Sequence, residues 1–362
     1  MAHAPIGAAV VGVGAFGRNH ARVFHELSLT AQRPVKLAAV VDADERLAVD
    51  VAERFEARAF ASVEAMLAAR KAGEIQVEAA SVAVPTVHHL AVAAALMKAG
   101  VDVLIEKPVA VSVEQALELE EVAARTGRIA MVGQLERFNP AVLAVRPLLN
   151  HPMFFECHRL SIFTPRSLDV DVVLDLMIHD LDVVLSMVES PVREVRAVGL
   201  AVLTQKADIA NVRVEFENGC VANFTASRVS TERVRKVRLF QPHEYLSIDY
   251  GRQDVIVIRV DPEMVRLLSM GSHGRPGAQV PVMPRAEGTV AGVNISKAAV
   301  EPGEPLRAEI EEFLRAVRTR TAPAVTLIDG RRALALALDI HRAMQEHARR
   351  VGKAIRNEAM SH

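Results

Sequence analysis

Short apolar segments alternate with longer, mixed segments over the first third of the chain. Residues 6–13 form an apolar run that ends in glycine, and Val35–Val41 has the same character, as expected for buried parallel strands. Strands that alternate with helix-length segments predict a doubly wound parallel α/β sheet. The predicted helices are residues 18–27, 45–55, 88–99 and 113–126, and the further strands are residues 79–84, 101–105 and 129–132.

After residue 135 the pattern changes to consecutive strands. Residues 153–163 predict a long strand and residues 170–188 a helix, and six strand-like segments follow. Asn218-Gly219 between two of them is typical of a hairpin turn, so we expect an open, mainly antiparallel sheet. The six segments are residues 192–203, 211–216, 221–229, 234–240, 245–249 and 255–260; a Gly- and Pro-rich loop over 268–303 and helices over 305–318 and 330–348 complete the prediction.

The 362 residues exceed the usual size of one domain, and the change of pattern predicts two. We place an α/β domain at residues 1–134 and an α+β domain at residues 135–362, with packing of the final helix back onto the first domain left open. Hydrophobic residues make up 51% and charged residues 24% of the chain, enough for a sizeable core. A net charge of −1 and 4% aromatic residues disfavour nucleic acid or an anionic membrane as partner.

The cellular location is predicted from cysteine use and from the N-terminal sequence. Cys157 and Cys220 are too few for a disulfide framework and fit a reducing compartment, although one disulfide between them stays open. The first residues lack the basic region of a signal peptide, and no apolar window reaches the length of a membrane helix. We therefore expect a cytoplasmic protein.

A glycine motif, Gly12-Val13-Gly14-Ala15-Phe16-Gly17, lies between the first predicted strand and helix. In that context G-x-G-x-x-G is typical of dinucleotide binding. The first glycine permits a tight turn, the second lets the backbone approach a pyrophosphate, and the third lets helix and strand pack closely. The free N–H groups at the start of the helix then face the phosphates.

Asp42, at the end of the second strand, indicates which dinucleotide is bound. Its carboxylate can accept hydrogen bonds from the ribose hydroxyls and would repel a 2′-phosphate, which favours NAD over NADP. Arg46, four residues on, is the counter-signal, because it could receive that phosphate. The alternative is a glycine turn and a capping aspartate that bind no ligand.

Glu106-Lys107-Pro108 follows a predicted strand, at the edge where open α/β sheets bind ligands. A lysine there can hydrogen-bond a substrate oxygen and favour its deprotonation. The alternative, a solvated loop lysine, is the usual fate of this residue type.

Asp175 and His179 are four residues apart in a predicted helix and so share one face. The carboxylate can orient the imidazole, which can act as a general base near neutral pH. A surface ion pair or a hydrogen-bonded core histidine is the alternative. No second His or Cys lies at ligand spacing, so we predict no metal site.

These residues, in this order, together with Val84-Pro85-Thr86-x-x-His89, resemble the glucose–fructose oxidoreductase / inositol dehydrogenase / rhizopine-catabolism family of NAD(P)-dependent dehydrogenases. The resemblance covers nearly the whole chain. It implies an N-terminal Rossmann domain and a C-terminal domain whose open sheet forms the interface of a homodimer or homotetramer. The chain departs from the family's usual Thr-Pro-Asn turn, because Val84-Pro85-Thr86 stands in its place.

The resemblance also implies roles for individual residues. Lys107 would hydrogen-bond the reacting hydroxyl, His179 would remove its proton, and Asp175 would hold His179. The Lys107-Pro108 bond becomes a candidate cis peptide. The cofactor would be NAD, and its implied binding residues are Gly12, Gly14, Phe16, Gly17, Asp42, Arg46, Pro85, Thr86, His89, Glu106 and Lys107.

A narrower resemblance concerns Gly133-Gln134-Leu135-Glu136-Arg137-Phe138-Asn139-Pro140 and residues 169–182, which look like the UDP-N-acetylglucosamine 3-dehydrogenases of that family. Those enzymes make a 3-keto nucleotide sugar, which an aminotransferase can aminate for lipid A. Arginines near the site could pair with the diphosphate of such a substrate, or lie on the surface. The implied substrate-binding residues are Arg137, Asn139, Arg159 and Arg166.

The sequence therefore predicts an NAD-dependent dehydrogenase that oxidises a secondary hydroxyl, with carbon 3 of UDP-N-acetylglucosamine as first choice. The alternative within the family is a myo-inositol or free-sugar dehydrogenase. The alternative from another class is a non-catalytic NAD(H) sensor, which need not keep Lys107, Asp175 and His179.

Overall fold

The computed structural model describes residues 4–32, 34–164, 170–261, 266 and 292–359. The chain divides into two compact units. The first unit contains residues 1–138 and 303–338, and the second contains residues 139–302 and 339–362. The first unit thus joins two segments that are far apart in sequence, and the domain boundary at residue 134 stays a prediction.

The first unit is built around a six-stranded sheet in which every strand pair is parallel. The strand order β3-β2-β1-β4-β5-β6 reverses direction between β1 and β4, the arrangement of a doubly wound dinucleotide-binding sheet. The strands are β1 (Ile6–Val11), β2 (Val35–Val41), β3 (Arg58–Phe60), β4 (Ala79–Val82), β5 (Asp102–Glu106) and β6 (Ala130–Gly133), and the helices are α1 (Gly17–Ser28), α2 (Glu45–Arg54), α3 (Val63–Lys71), α4 (His89–Lys98) and α5 (Val113–Thr126).

Local sequence explains where these elements begin and end. Every residue of β1 is buried, as expected for a strand covered on both faces. The predicted N-cap Ser112 is confirmed, because its hydroxyl accepts the Gln115 N–H at 3.3 Å, and Gly127 ends α5 with a φ of +62°. Strand β3 and helix α3 were not predicted from the sequence.

The second unit contains an eight-stranded mixed sheet, antiparallel except for the β7–β10 pair. Buried and partly exposed residues alternate along β7, so that Phe155, Cys157 and Arg159 face the core. The strands are β7 (Phe154–Leu160), β8 (Val192–Leu200), β9 (Ile209–Phe216), β10 (Val221–Ser227), β11 (Val234–Gln241), β12 (Glu244–Asp249), β13 (Asp254–Val260) and β14 (Val293–Lys297).

Three helical segments lie between or beside these strands: α6 (Pro140–Val145), a π-helical turn (Val173–Met177) and α7 (Ile178–Leu185). The predicted single helix over 170–188 is therefore broken by a π turn and ends earlier. Strand β14 lies inside the predicted loop 268–303, whose residues 268–291 are outside the described part of the chain.

Two helices complete the chain, α8 (Pro305–Thr319) and α9 (Leu327–Ala359), where the sequence predicted 305–318 and 330–348. Among the described residues, no helix is both long enough and apolar enough to cross a membrane. Both cysteines are free and buried. Burial raises the pKa of Cys220 to about 11 and raises the pKa of Cys157 well above its usual value, so these thiols have little thiolate character at neutral pH.

The loop before β9 is organised by one buried carboxylate, that of Asp208. Its Oδ2 accepts the N–H groups of Val202, Leu203 and Thr204 at 2.6–2.8 Å, and Oδ1 accepts the Thr204 hydroxyl at 2.7 Å. Burial alone would raise the pKa of Asp208, but these donors lower it to about 2.

Replacement of Asp208 by asparagine is expected to lower the free energy of unfolding at pH 7 by about 2 kcal/mol. Because the folded-state pKa is depressed, this stabilisation is present above the unfolded-state pKa near 4 and is lost as the pH falls towards 2. Urea unfolding of Asp208→Asn and wild type between pH 7 and pH 3 measures the difference. Asp254→Asn, on an exposed ion pair with Lys297, is the control with little expected effect. If the difference in free energy of unfolding between Asp208→Asn and wild type stays constant from pH 7 to pH 3, the depressed pKa of Asp208 is not its cause.

Candidate active site

The glycine motif forms the turn between β1 and α1, and its three glycines have different surroundings. Gly12 has a φ of +84°, and a Cβ there would lie 2.7 Å from the Ala83 carbonyl oxygen. At Gly17 a Cβ would lie 1.8 Å from the Gly12 carbonyl oxygen, so the third glycine allows close packing. Nothing lies within 4 Å of a Cβ at Gly14, which leaves its backbone open to a ligand. The loop therefore fits a pyrophosphate approaching Gly14 and the start of α1.

A cavity of about 850 Å³ lies beside this loop, at the point where the strand order reverses. Its size suits a small-molecule cofactor, and doubly wound sheets bind their ligands at this position. Four of the predicted cofactor residues line it: Gly12, Gly14, Asp42 and Pro85. Most of the cavity's apolar wall was not predicted from the sequence. This wall suits a flat base, and it is formed by Leu47, Val63, Ala91, Val92 and Ala95.

Asp42 is held in a fixed position on the cavity wall. Its Oδ2 accepts the Val13 N–H at 2.8 Å, and its Oδ1 accepts the Asp44 N–H at 3.0 Å. The carboxylate thus joins the end of β2 to the glycine loop. Arg46 is exposed in the first turn of α2 and is absent from the cavity lining.

The remaining cofactor candidates lie around the ends of β1, β4 and β5. Phe16 is 41% exposed, and Thr86 is half-buried at the start of a 3₁₀ turn that follows Pro85. The predicted cis peptide between Lys107 and Pro108 is confirmed, directly after β5 ends at Glu106. Lys107 is half-buried.

His89 connects two of these loops from inside the protein. Its Nε2 lies 2.9 Å from the Val84 carbonyl oxygen and its Nδ1 lies 3.0 Å from that of Pro108, and the protonated ring nitrogen donates. The side chain is 1% exposed, and burial lowers the pKa of His89. His89 therefore links the backbone at Val84, after β4, to the backbone at Pro108, after β5.

In the second unit, Asp175 lies in the π-helical turn and His179 in the first turn of α7, both half-buried. The Asp171 carboxylate caps the π turn, since its Oδ1 accepts the Val173 N–H at 2.8 Å. Its Oδ2 lies 3.3 Å from Nδ1 of His341. Single π turns occur frequently at functional sites, and this one ends two residues before His179.

The substrate-binding candidates make contacts within the protein. Arg137 is 7% exposed, with Nη2 3.4 Å from the Ala324 carbonyl oxygen and 3.9 Å from Asp329 Oδ2. Asn139 caps α6 through the Ala141 N–H and donates to the Tyr250 carbonyl oxygen at 3.2 Å.

Arg159 forms a two-hydrogen-bond ion pair with Asp180, the residue after His179, at 2.8 Å for both bonds. Its guanidinium also lies 5.1 Å from the centre of the Tyr250 ring. A substrate role for these residues stays a prediction, and Arg166 lies outside the described residues.

Comparison with known proteins identifies two family domains in the chain. The NAD-binding Rossmann-fold domain of an oxidoreductase family, GFO/IDH/MocA, matches residues 6–134. The C-terminal domain of the same family matches residues 148–241.

Two named relatives show which activities occur among similar proteins. The chain is 36% identical over 342 residues to a UDP-N-acetylglucosamine 3-dehydrogenase of Acidithiobacillus ferrooxidans, covering 94% of this chain and 98% of that protein. A solved structure of that enzyme superimposes with a TM-score of 0.80 at 34% identity, covering 95% of this chain and 99% of the other. An inositol 2-dehydrogenase of Acidothermus cellulolyticus is 32% identical over 197 residues, covering 52% and 55% of the two chains.

Proposed function

Because this chain belongs to the GFO/IDH/MocA family of NAD-binding oxidoreductases, we propose that it oxidises a secondary hydroxyl of a nucleotide sugar. The proposed substrate is UDP-N-acetylglucosamine, oxidised at carbon 3 to the 3-keto sugar with NAD as acceptor. The observation that carries this proposal is the 36% identity to an enzyme of that name over 94% of the chain.

The first unit supports the cofactor half of the proposal. The open backbone at Gly14 and the carboxylate of Asp42 fit the pyrophosphate and the adenosine ribose of NAD. Bound NAD supplies the hydride acceptor. The apolar wall of the cavity, which includes Leu47 and Val63, would hold the adenine.

In the proposed chemistry, three side chains act on one hydroxyl of the sugar. Lys107 donates a hydrogen bond to the reacting oxygen and stabilises its developing negative charge. His179 accepts the hydroxyl proton as general base, and Asp175 orients the imidazole and stabilises its cation. The carbon gives up a hydride as the O–H bond breaks, so the products are a ketone, a protonated His179 and reduced cofactor.

Product identification tests this proposal. The purified protein is incubated with NAD and UDP-N-acetylglucosamine, and with a sugar-nucleotide aminotransferase and glutamate that remove the ketone as it forms. We expect mass spectrometry to detect the 3-keto nucleotide sugar without the aminotransferase and the 3-amino sugar with it. Oxidation of another carbon, or no oxidation in either reaction, would contradict the proposed substrate.

A second candidate is oxidation of myo-inositol or a free sugar, favoured by the 32% identity to an inositol 2-dehydrogenase over half of the chain. The two candidates share the cofactor and the proposed chemistry. They differ in whether the UDP group is needed, so parallel assays with and without it separate them.

Asp42 is expected to set the preference for NAD over NADP. Its anchored carboxylate would face a 2′-phosphate, and like charges brought together cost binding energy. We expect wild type to bind NADH at least about 10-fold more tightly than NADPH, and Asp42→Ser to narrow this ratio. Fluorescence titration of both nucleotides measures the ratio. Asp44→Ser is the control, because it removes a negative charge two residues away and keeps a side chain that can cap α2. If the ratio of NADPH to NADH affinity changes equally in both variants, Asp42 does not set the preference.

We also propose that the protein is a cytoplasmic homodimer or homotetramer assembled through the more exposed face of the eight-stranded sheet. That face carries a cluster of rings in which Phe240 lies 5.6 Å from Phe154 and 5.0 Å from Tyr245. Phe240 is 38% exposed, and exposed aromatic clusters are common at interfaces.

Size-exclusion chromatography with light scattering is expected to show that the wild-type protein is a dimer or tetramer. Phe240→Glu is expected to shift the protein towards monomer. A monomeric wild type would contradict this proposal.

A further inference from the structure

A polar cluster is buried beside the end of β5, inside the first unit. It consists of His20, Ser81, Glu106 and Glu309, whose exposed fractions are 0%, 0%, 8% and 0%. The potential ligand atoms of His20, Glu106 and Glu309 all lie within 4.8 Å of one another. These residues come from α1, β4, β5 and α8, so four separate elements contribute to one buried group.

The imidazole of His20 is at the centre of the cluster. Its Nδ1 lies 2.8 Å from the Ser81 hydroxyl, and its Nε2 lies 3.0 Å from Glu106 Oε1. The ring also lies 5.3 Å from the ring of Phe16 in the glycine loop. One side chain therefore contacts the cofactor loop and the end of β5.

The carboxylate of Glu106 contacts His20 through one oxygen and the backbone of Lys107 through the other. Its Oε2 accepts the backbone N–H of Lys107 at 3.3 Å. On the other side of the carboxylate, a Cβ at Gly133 would lie 2.7 Å from Glu106 Oε1, so the glycine of β6 leaves room for this carboxylate. The orientation of Glu106 is thus defined by His20, by the Lys107 backbone and by the space at Gly133.

The cluster contains two buried carboxylates, those of Glu106 and Glu309. Two buried carboxylates this close together are unfavourable if both are ionised and nothing compensates them. A divalent cation would balance the charge, but a metal site needs an entry path, and His20 and Glu309 are both 0% exposed.

We propose that His20 is a positioning residue, which holds Glu106 and through it the backbone of Lys107 in the geometry that the reaction requires. The proposal rests on the proposed function only through the role of Lys107. A hydrogen-bond donor that is displaced by about 1 Å can cost on the order of 100-fold in rate. The proposed pyrophosphate and ribose contacts are instead the open backbone at Gly14 and the carboxylate of Asp42, neither of which belongs to the cluster.

The test compares His20→Leu, His20→Gln and Ser81→Ala with a control at the other end of the same strand. Asp102→Asn is that control, since Asp102 begins β5, is buried, and accepts the Ile129 N–H at 2.8 Å. We expect His20→Leu to lower kcat about 10- to 100-fold with the NADH Kd within about 3-fold of wild type. His20→Gln, whose amide can still donate towards Glu106, is expected to recover part of the loss. Asp102→Asn is expected to lower Tm without changing kcat.

A readout that needs no turnover keeps this inference separate from the proposed function. Lysines are reductively methylated with ¹³C, and the Lys107 methyl signal is identified by its loss in Lys107→Arg. We expect this signal to shift in His20→Leu and in the milder Ser81→Ala, but not in Asp102→Asn. If wild type oxidises no sugar, the proposed function fails, and the methyl signal still tests the positioning role.

Two results would overturn the inference. One is an unchanged Lys107 signal and unchanged kcat in folded His20 and Ser81 variants. The other is a stoichiometric divalent metal in the purified wild-type protein, found by elemental analysis and lost in Glu309→Gln, because the cluster would then be a metal site.

Discussion

Replacement of Lys107 by methionine is expected to lower kcat about 1,000-fold while the NADH Kd stays within about 3-fold of wild type. The lysine follows β5 directly, at the edge where doubly wound sheets bind substrates, and methionine keeps much of its length without its charge. The loss should appear in kcat because the hydrogen bond to the reacting oxygen strengthens as negative charge develops there. Steady-state kinetics and fluorescence titration of NADH measure the two quantities.

His179→Gln is the companion variant and is expected to show a loss of similar size, since the proton then has no acceptor at that position. Lys98→Met, at an exposed lysine that ends α4, is the matched control and should retain full activity. Wild-type turnover in both Lys107→Met and His179→Gln would contradict the proposed chemistry. A loss confined to the NADH Kd would instead assign Lys107 to cofactor binding.

The three glycines of the β1–α1 turn are expected to respond differently to alanine. Gly14→Ala should fold with an unchanged Tm, because nothing lies within 4 Å of the new Cβ, yet weaken NADH binding at least about 10-fold by entering the pyrophosphate's space. Gly17→Ala should lose affinity and also about 1–3 kcal/mol of unfolding free energy, since its Cβ would lie 1.8 Å from the Gly12 carbonyl oxygen. Thermal unfolding and NADH titration separate the two effects.

Gly127→Ala is the control for the general cost of removing a glycine. Gly127 ends α5 with a φ of +62° and open space around it, so alanine there should cost stability without changing NADH affinity. If Gly14→Ala binds NADH as well as wild type, the pyrophosphate does not approach Gly14 and the assignment of the loop is wrong.

Much of the first unit could be predicted because its signals are local. The apolar strand at Val35–Val41 and the helix Val113–Thr126 match the structure residue for residue. Strand β3, of three residues, is too short for a periodic pattern, and helix α3, which follows it, was missed with it. The π turn at Val173–Met177 has the composition of an ordinary helix, so its pattern predicts only a helix.

Some residues of the candidate site could also be predicted from local signals, whereas the contacts of others depend on tertiary packing. Gly12, Gly14 and Asp42 could be predicted as cofactor residues because the motif and its place after a strand carry the signal, and all three line one cavity. The pairing of Arg159 with Asp180 depends on which face of β7 the arginine occupies and on what packs there, which the sequence leaves undetermined.

The buried cluster depends still more on tertiary structure. His20 and Glu309 are close in space but lie in α1 and α8, at opposite ends of the chain. Each residue alone reads as an ordinary polar position of an amphipathic helix. They come together with Glu106 only when α8 packs against the earlier elements of the first unit.

The measurement that tests the central claim most directly is the formation of reduced nicotinamide, followed by absorbance, with NAD and either UDP-N-acetylglucosamine or myo-inositol. An aminotransferase and glutamate are present in a parallel set to remove the keto product. We predict a signal with the nucleotide sugar and a kcat/KM for it far above that for myo-inositol. A signal with myo-inositol alone would contradict the proposed substrate, and NADH binding without oxidation of either compound would contradict the assignment of this protein as a sugar dehydrogenase.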